Sequence, residues 1–202
     1  MENRIRGNAM IKLRTVLSLA FALLLAGCLP VTSKTPVGTT SGLGTDPALI
    51  GTWHGSNENK DGHVYLHVTA NGEQPFTLVL VSAEGKDDPM LLQAKTAQLG
   101  QNRFLDVLTM LDGKGNDFKL SDFDGGSVPV LYRIVRNTLT LYMLDEDKVK
   151  AAIAKGDIAG TVEKGDYGDV QLTADAKTLD AFFAKPEAVK LFKVFLVLKK
   201  TE

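Results

Sequence analysis

His54, His63 and His67 fall within fourteen residues of one another, and imidazoles at such density are the groups of a metal site or an acid–base pair. Spacing limits that chemistry. His63 and His67 share one face of a strand, where four residues at about 3.3 Å each set them roughly 13 Å apart. Zinc–nitrogen bonds are only about 2.0–2.1 Å long, so these two cannot hold one ion. His54 can reach one of them from a neighbouring strand, but further ligands are then missing, and polar strand-face histidines are expected. Asp112, Asn116, Asp117, Asp122 and Asp124 supply the oxygen chemistry of a calcium loop. Counted from Asp112, however, position 3 is Lys114 and position 6 is Asp117, where such a loop requires an oxygen ligand and a glycine. Solvated turns are expected there. Neither a Gly-x-Ser-x-Gly elbow nor a His-Glu-x-x-His helix occurs, and Ser56, Ser82, Ser121 and Ser127 lie in no nucleophile motif. No catalytic residue, metal or cofactor is assigned, and the chain is expected not to be an enzyme.

The remaining reactive group is the thiol of Cys28, the single cysteine. Arg4, Arg6, Lys12 and Arg14 precede an uncharged, Leu- and Ala-rich run from Thr15 to Ala26. A cationic stretch followed by a short apolar one is the layout of a secretory signal, and the run falls short of the about 20 apolar residues of a permanent span. Leu25-Ala26-Gly27-Cys28 resembles the lipobox of bacterial lipoproteins. That resemblance implies cleavage between Gly27 and Cys28, a diacylglyceryl thioether on Cys28, and further acylation (a palmitate-type chain) of the new amino terminus. Met10 is an alternative start, because Lys12 and Arg14 still form a cationic stretch. Two or three acyl chains bury methylenes at about 0.8 kcal/mol each, enough for stable anchoring. Leu29 follows the cysteine where Asp resembles an inner-membrane retention signal, so the expected location is the outer membrane of a Gram-negative cell, facing the periplasm.

Removal of residues 1–27 takes away four basic groups and Glu2, leaving 19 basic and 23 acidic residues, a net charge of −4. No basic cluster remains to follow a phosphate backbone, which argues against nucleic-acid binding. With its thiol acylated, the mature chain has no internal disulfide and must be stabilised by packing. Residues 28–47 are expected to be the acylated cysteine and a flexible tether, since Ser, Thr, Gly and Pro dominate from Pro30 to Pro47. A coil of that length reaches roughly 20–25 Å.

A single domain is expected over residues 48–202. Val64, Leu66 and Val68 alternate along one strand face, as do Phe76, Leu78 and Leu80. Segments 91–98, 103–111, 128–136 and 138–144 also have strand character, and 192–199 closes the chain as another. Asn71-Gly72, Asp112-Gly113 and Asn137-Thr138 are turn signals. These features predict a mainly β fold, an antiparallel meander closing into a barrel or strongly curled sheet. Two helices interrupt it. Asp145 is placed to cap one over 146–155, with Leu144 and Val149 flanking the cap and Gly156 ending it. Thr173 is the expected cap of the second, whose Leu179, Phe182 and Phe183 form an apolar stripe for a lid or core face, and Pro186 ends it or starts another turn.

Gly51-Thr52-Trp53 resembles the Gly-x-Trp of lipocalins, whose Trp packs at the closed barrel end near a cation from the last strand. Lys199 or Lys200 would be that cation here. The Thr-Asp-Tyr motif of lipocalins is absent. Leu49–Trp53, Val64–Val68, Phe104–Asp106, Leu139–Tyr142, Val170–Ala174 and Leu179–Phe182 together are similar to an uncharacterised family of bacterial lipoproteins with a lipocalin-like domain. The resemblance implies a membrane-anchored protein binding a small apolar ligand or lipid without catalysis. A cell-envelope interaction module without ligand and, further off, a hydrolase with a spatially assembled site are the alternatives. Replacing Cys28 by Ala should leave an unprocessed precursor that takes up no radiolabelled palmitate; labelling equal to the wild type would refute the lipobox.

Overall fold

The computed structural model describes residues 30–56, 63–70, 75–82, 89–111, 117–118 (backbone), 126–163 and 170–201. The signal and lipobox residues, Gly27 and Cys28 included, lie outside this set. So do the turn signals Asn71-Gly72 and Asp112-Gly113 and the side chains of the acidic group at 112–124.

The strands in chain order are β1 (Thr32–Ser33), β2 (Gly51–Ser56), β3 (His63–Thr69), β4 (Phe76–Ser82), β5 (Met90–Leu99), β6 (Asn102–Leu111), β7 (Asp117–Phe118), β8 (Val128–Val135), β9 (Thr138–Leu144), β10 (Gly160–Val162), β11 (Val170–Leu172) and β12 (Phe192–Lys200). Helices α1 (Glu146–Lys155) and α2 (Ala176–Phe183) follow β9 and β11. Eight strands run β5-β4-β3-β2-β12-β9-β8-β6, and β6 pairs back onto β5, so the expected antiparallel barrel is closed. Strand β7 pairs with the end of β6, along the edge that β8 occupies earlier in that strand, and β1-β11-β10 form a separate small sheet.

Period-two alternation sorts the barrel residues onto two faces. Inward-facing Trp53, Leu66, Val68, Phe76, Leu78, Leu105, Leu139 and Leu198 form one core inside the ring. A second core lies on the outer wall, where Leu99, Phe104, Leu131, Leu144 and Phe192 pack under α1, α2 and the small sheet. The Phe104, Phe183 and Phe192 rings, with centroids 5.5–6.0 Å apart, dock α2 against the wall. The apolar stripe of α2 is therefore an outer-wall core face. Asp145 caps α1 and Gly156 ends it at φ 76°, as its sequence predicts. For α2 the cap is Asp175 in place of Thr173: its carboxylate accepts from the Thr178 amide at 3.0 Å and the Thr178 hydroxyl at 2.7 Å. Thr173 is already engaged, donating its amide to the Ala159 carbonyl. The β8–β9 turn falls on Arg136-Asn137, one residue before the expected pair, with Arg136 at φ 54°.

Residues 30–47 are not a flexible tether. They cross the outside of the barrel as a packed strap, in which Val31 and Val37 are buried and Thr32–Ser33 pair in parallel with β11. The amide and carbonyl of Ser33 both bond to Ser127. Two buried carboxyl groups hold the next turn. Asp106 accepts from the Val37 amide at 2.9 Å, and Asp180 accepts from the Gly38 amide, the Thr40 amide and the Thr40 hydroxyl. Gly38 sits at φ +90°, and a Cβ there would lie 2.0 Å from that of Ala97. Composition signals a coil because few apolar groups are present. The backbone donors are nonetheless satisfied by acceptors 69 to 142 residues away, which no local pattern displays. Replacing Asp180 by Ala orphans those donors and should destabilise the fold by about 2–4 kcal/mol, read by urea unfolding; an unchanged midpoint would show that the strap is not held there.

Candidate functional site

The two ends of the barrel differ. At one end the turn Pro47–Leu49 folds under the ring, and Leu49 enters the inner core. Trp53, 1 % exposed, donates its Nε1 hydrogen to the Leu49 carbonyl at 2.7 Å. Lys200 Nζ lies 5.1 Å from the centroid of the indole, a cation–π contact. Register selects Lys200 over Lys199: Lys200 stands opposite Trp53, so the two share the inner face, whereas Lys199 opposes His54 on the outer face. This end is closed.

Toward the other end the barrel is not filled. A cavity of about 210 Å³ opens among the start of β3, the end of β4, the start of β5, the end of β6, the start of β8 and the end of β9. Leu66, Leu78, Leu105 and Val130 form its depth, while Val64, Leu80, Leu92, Phe195 and Pro30 stand toward the mouth. All sixteen lining residues are apolar. Met90, Met110 and Met143 are among them, and they are the only methionines after Met10. Unbranched thioethers adapt to occupants of differing shape. Such a cavity favours hydrocarbon and presents no side chain for acid–base or nucleophilic chemistry among the described residues.

The histidines converge only in part. His54 and His63 approach on the outer face, Nε2 to Nδ1 at 3.0 Å with rings stacked 5.0 Å apart. His67 pairs instead with the Thr52 hydroxyl at 3.0 Å. No cluster of three or more potential metal ligands occurs among the described residues. Ser56 and Ser82 end strands, and Ser127 donates to Asp106 on the outer wall.

Sequence reasoning missed Asp106 and the methionines. The methionines could have been found, since Met90 and Met143 stand two residues from Leu92 and Leu141 on the inward parity of their strands. Asp106 shows no such signal; it sits on the outward parity of β6 and is buried only because the strap covers it. Its Oδ2 has no hydrogen-bond partner, nor does the buried strap hydroxyl of Thr32. Burial pushes its pKa from 3.8 up to about 8; the bonds from Val37 and Ser127 oppose this, and the charge of Asp180 adds to it. Burial, followed by the 2.7 Å bond to Asp46, also pushes the Tyr132 phenol upward.

No family model, curated protein or solved structure gives a significant match to this chain.

Because Asp106 binds its proton more tightly folded than unfolded, stability should be highest below about pH 4 as far as this group is concerned, and should fall as pH rises toward about 8. Asp106→Asn should remove that slope and exceed the wild type in stability at pH 8, as read by urea unfolding at several pH values. An identical slope in both proteins would count against a neutral Asp106.

Proposed function

We propose that the protein is a lipid-anchored carrier, held in the membrane through acylated Cys28, that takes a small apolar ligand or a hydrocarbon chain into the open end of its barrel without chemical change. The observation that carries this reading is the cavity: a closed ring packed at one end that, toward the other, leaves a cavity lined by apolar side chains among the described residues. A barrel whose interior served stability alone would gain from side chains filling that space, because unfilled apolar volume costs packing energy. The apolar character of the described lining favours a hydrocarbon ligand, such as an acyl chain. The location follows from the signal residues: an Arg- and Lys-led apolar run, the lipobox and Leu29 support anchoring in the outer membrane with the domain in the periplasm.

The test is a titration of the purified full chain with anthroyloxy-labelled palmitic acid. Fluorescence should saturate at one probe per chain. Val130→Phe projects a ring into the cavity and should weaken binding by about tenfold or more, equivalent to about 1.4 kcal/mol, while overpacking costs about 1–3 kcal/mol of stability. Lys200→Ala, at the closed end, should bind as the wild type does. Equal binding by Val130→Phe and wild type would place the probe elsewhere, and absence of saturable binding in every form would favour an envelope interaction module without ligand.

A further inference from the structure

Pro30 is at once a lining residue of the cavity and the second residue after Cys28. The chain therefore enters the described fold at the mouth, only two residues along the sequence from the cysteine of the lipobox. From Pro30 onward the chain has no freedom to swing away. Val31 is buried in the outer core, Ser33 is bonded in both directions to Ser127, and Val37 is tied to Asp106. The strap then runs down the wall to the closed end, where Pro47–Leu49 seals the base. The anchor is thus fastened at the mouth, and the closed end lies a full barrel height away.

We propose that the open end of the barrel abuts the bilayer that holds the anchor, and that the cavity takes a single acyl chain from a phospholipid of that same leaflet. This inference rests on the anchored-carrier reading and adds the orientation of the domain and the source of its ligand. Two features of the mouth fit a membrane surface. Phe195 lines the cavity yet remains 45 % exposed, beside Val194, which is 59 % exposed at the bulge of β12. Exposed apolar surface at the rim of a cavity marks an interaction face. In addition, among the described residues the β12–β2 ladder pairs only Lys199 with His54 and Lys200 with Trp53, at the closed end; Gly55 packs against the Val197 carbonyl just beyond it, and the mouth lies past that contact. A chain leaving the leaflet there never crosses water, which removes the main barrier to lipid transfer. The acidic residues of the mature chain outnumber the basic ones by four, 23 to 19. That sign fits zwitterionic headgroups better than anionic ones, since like charges repel near a surface.

The full chain, purified from membranes and shown by intact mass to carry acyl groups, is placed in phosphatidylcholine vesicles containing chain-brominated phosphatidylcholine. The wild type has one tryptophan, Trp53, buried at the closed end, and its emission should be unaffected by bromine. Phe195→Trp and Val64→Trp, on different strands of the mouth, should lose most of their added emission. Val135→Trp, exposed beside the closed-end turn, should retain it. Quenching of Val135→Trp with the mouth variants spared, or equal quenching at both ends, would overturn the orientation. Protein released in mild detergent should carry one phosphatidylcholine in native mass spectra, lost in Val130→Phe; acylated protein without that adduct would overturn the ligand source. A chain bearing no acyl mass would instead refute the anchor itself, before any quenching is read.

Discussion

Eight antiparallel strands lose both sheet edges only when the last reaches back to the first, and β12 does this through two residue pairs, Lys199 with His54 and Lys200 with Trp53. Edge removal matters because a free edge exposes a row of unpaired amides and carbonyls. The short ladder is reinforced at the same point by the Trp53 bond to Leu49 and by the Lys200 ammonium over the indole. Closure therefore concentrates packing at one end of the ring. Toward the opposite end a cavity remains among the described residues.

A second constraint acts from outside. The β6 and β8 strands turn an apolar face outward, which must be covered to be stable. Two helices, a small sheet and the strap 30–47 supply the cover. The strap contributes little apolar area, so its order depends on bonds from Asp106, Asp180 and Ser127. Burial of Asp106 with one oxygen unpartnered is the cost of that arrangement. Asp180 is better placed, since both of its oxygens accept hydrogen bonds from the strap. The same strap fixes Pro30 at the mouth and Leu49 at the base, so the direction of the barrel and the position of the chain's amino-terminal side are set together.

The histidine pair shows why residue type alone misleads about function. His54 and His63 come within hydrogen-bonding distance, yet they stand on the outer face with His67 turned to Thr52. Their proximity follows from strand register: His54 opposes Tyr65, which places His63 at the diagonal position. The cavity, whose described lining is apolar throughout, is the more distinctive feature of the molecule.

The sequence by itself determined the barrel strands, the parity of their inward residues and the first helix with both its caps, but not the small sheet β1-β11-β10 or strand β7. The features it determined are local properties: alternation, capping residues and turn chemistry act over a few positions. Only the tertiary structure decided that Lys200 rather than Lys199 meets Trp53, because one residue of register exchanges the faces of a strand. It alone decided that Asp175 caps α2, since Thr173 is drawn into the pairing that extends β11. It alone turned a Ser-, Thr- and Gly-rich segment into a packed strap, because the carboxyl groups that order it come from distant strands and helices. The cavity, too, is a property of closure: its lining residues are ordinary strand positions, and only the ring's diameter leaves space between them.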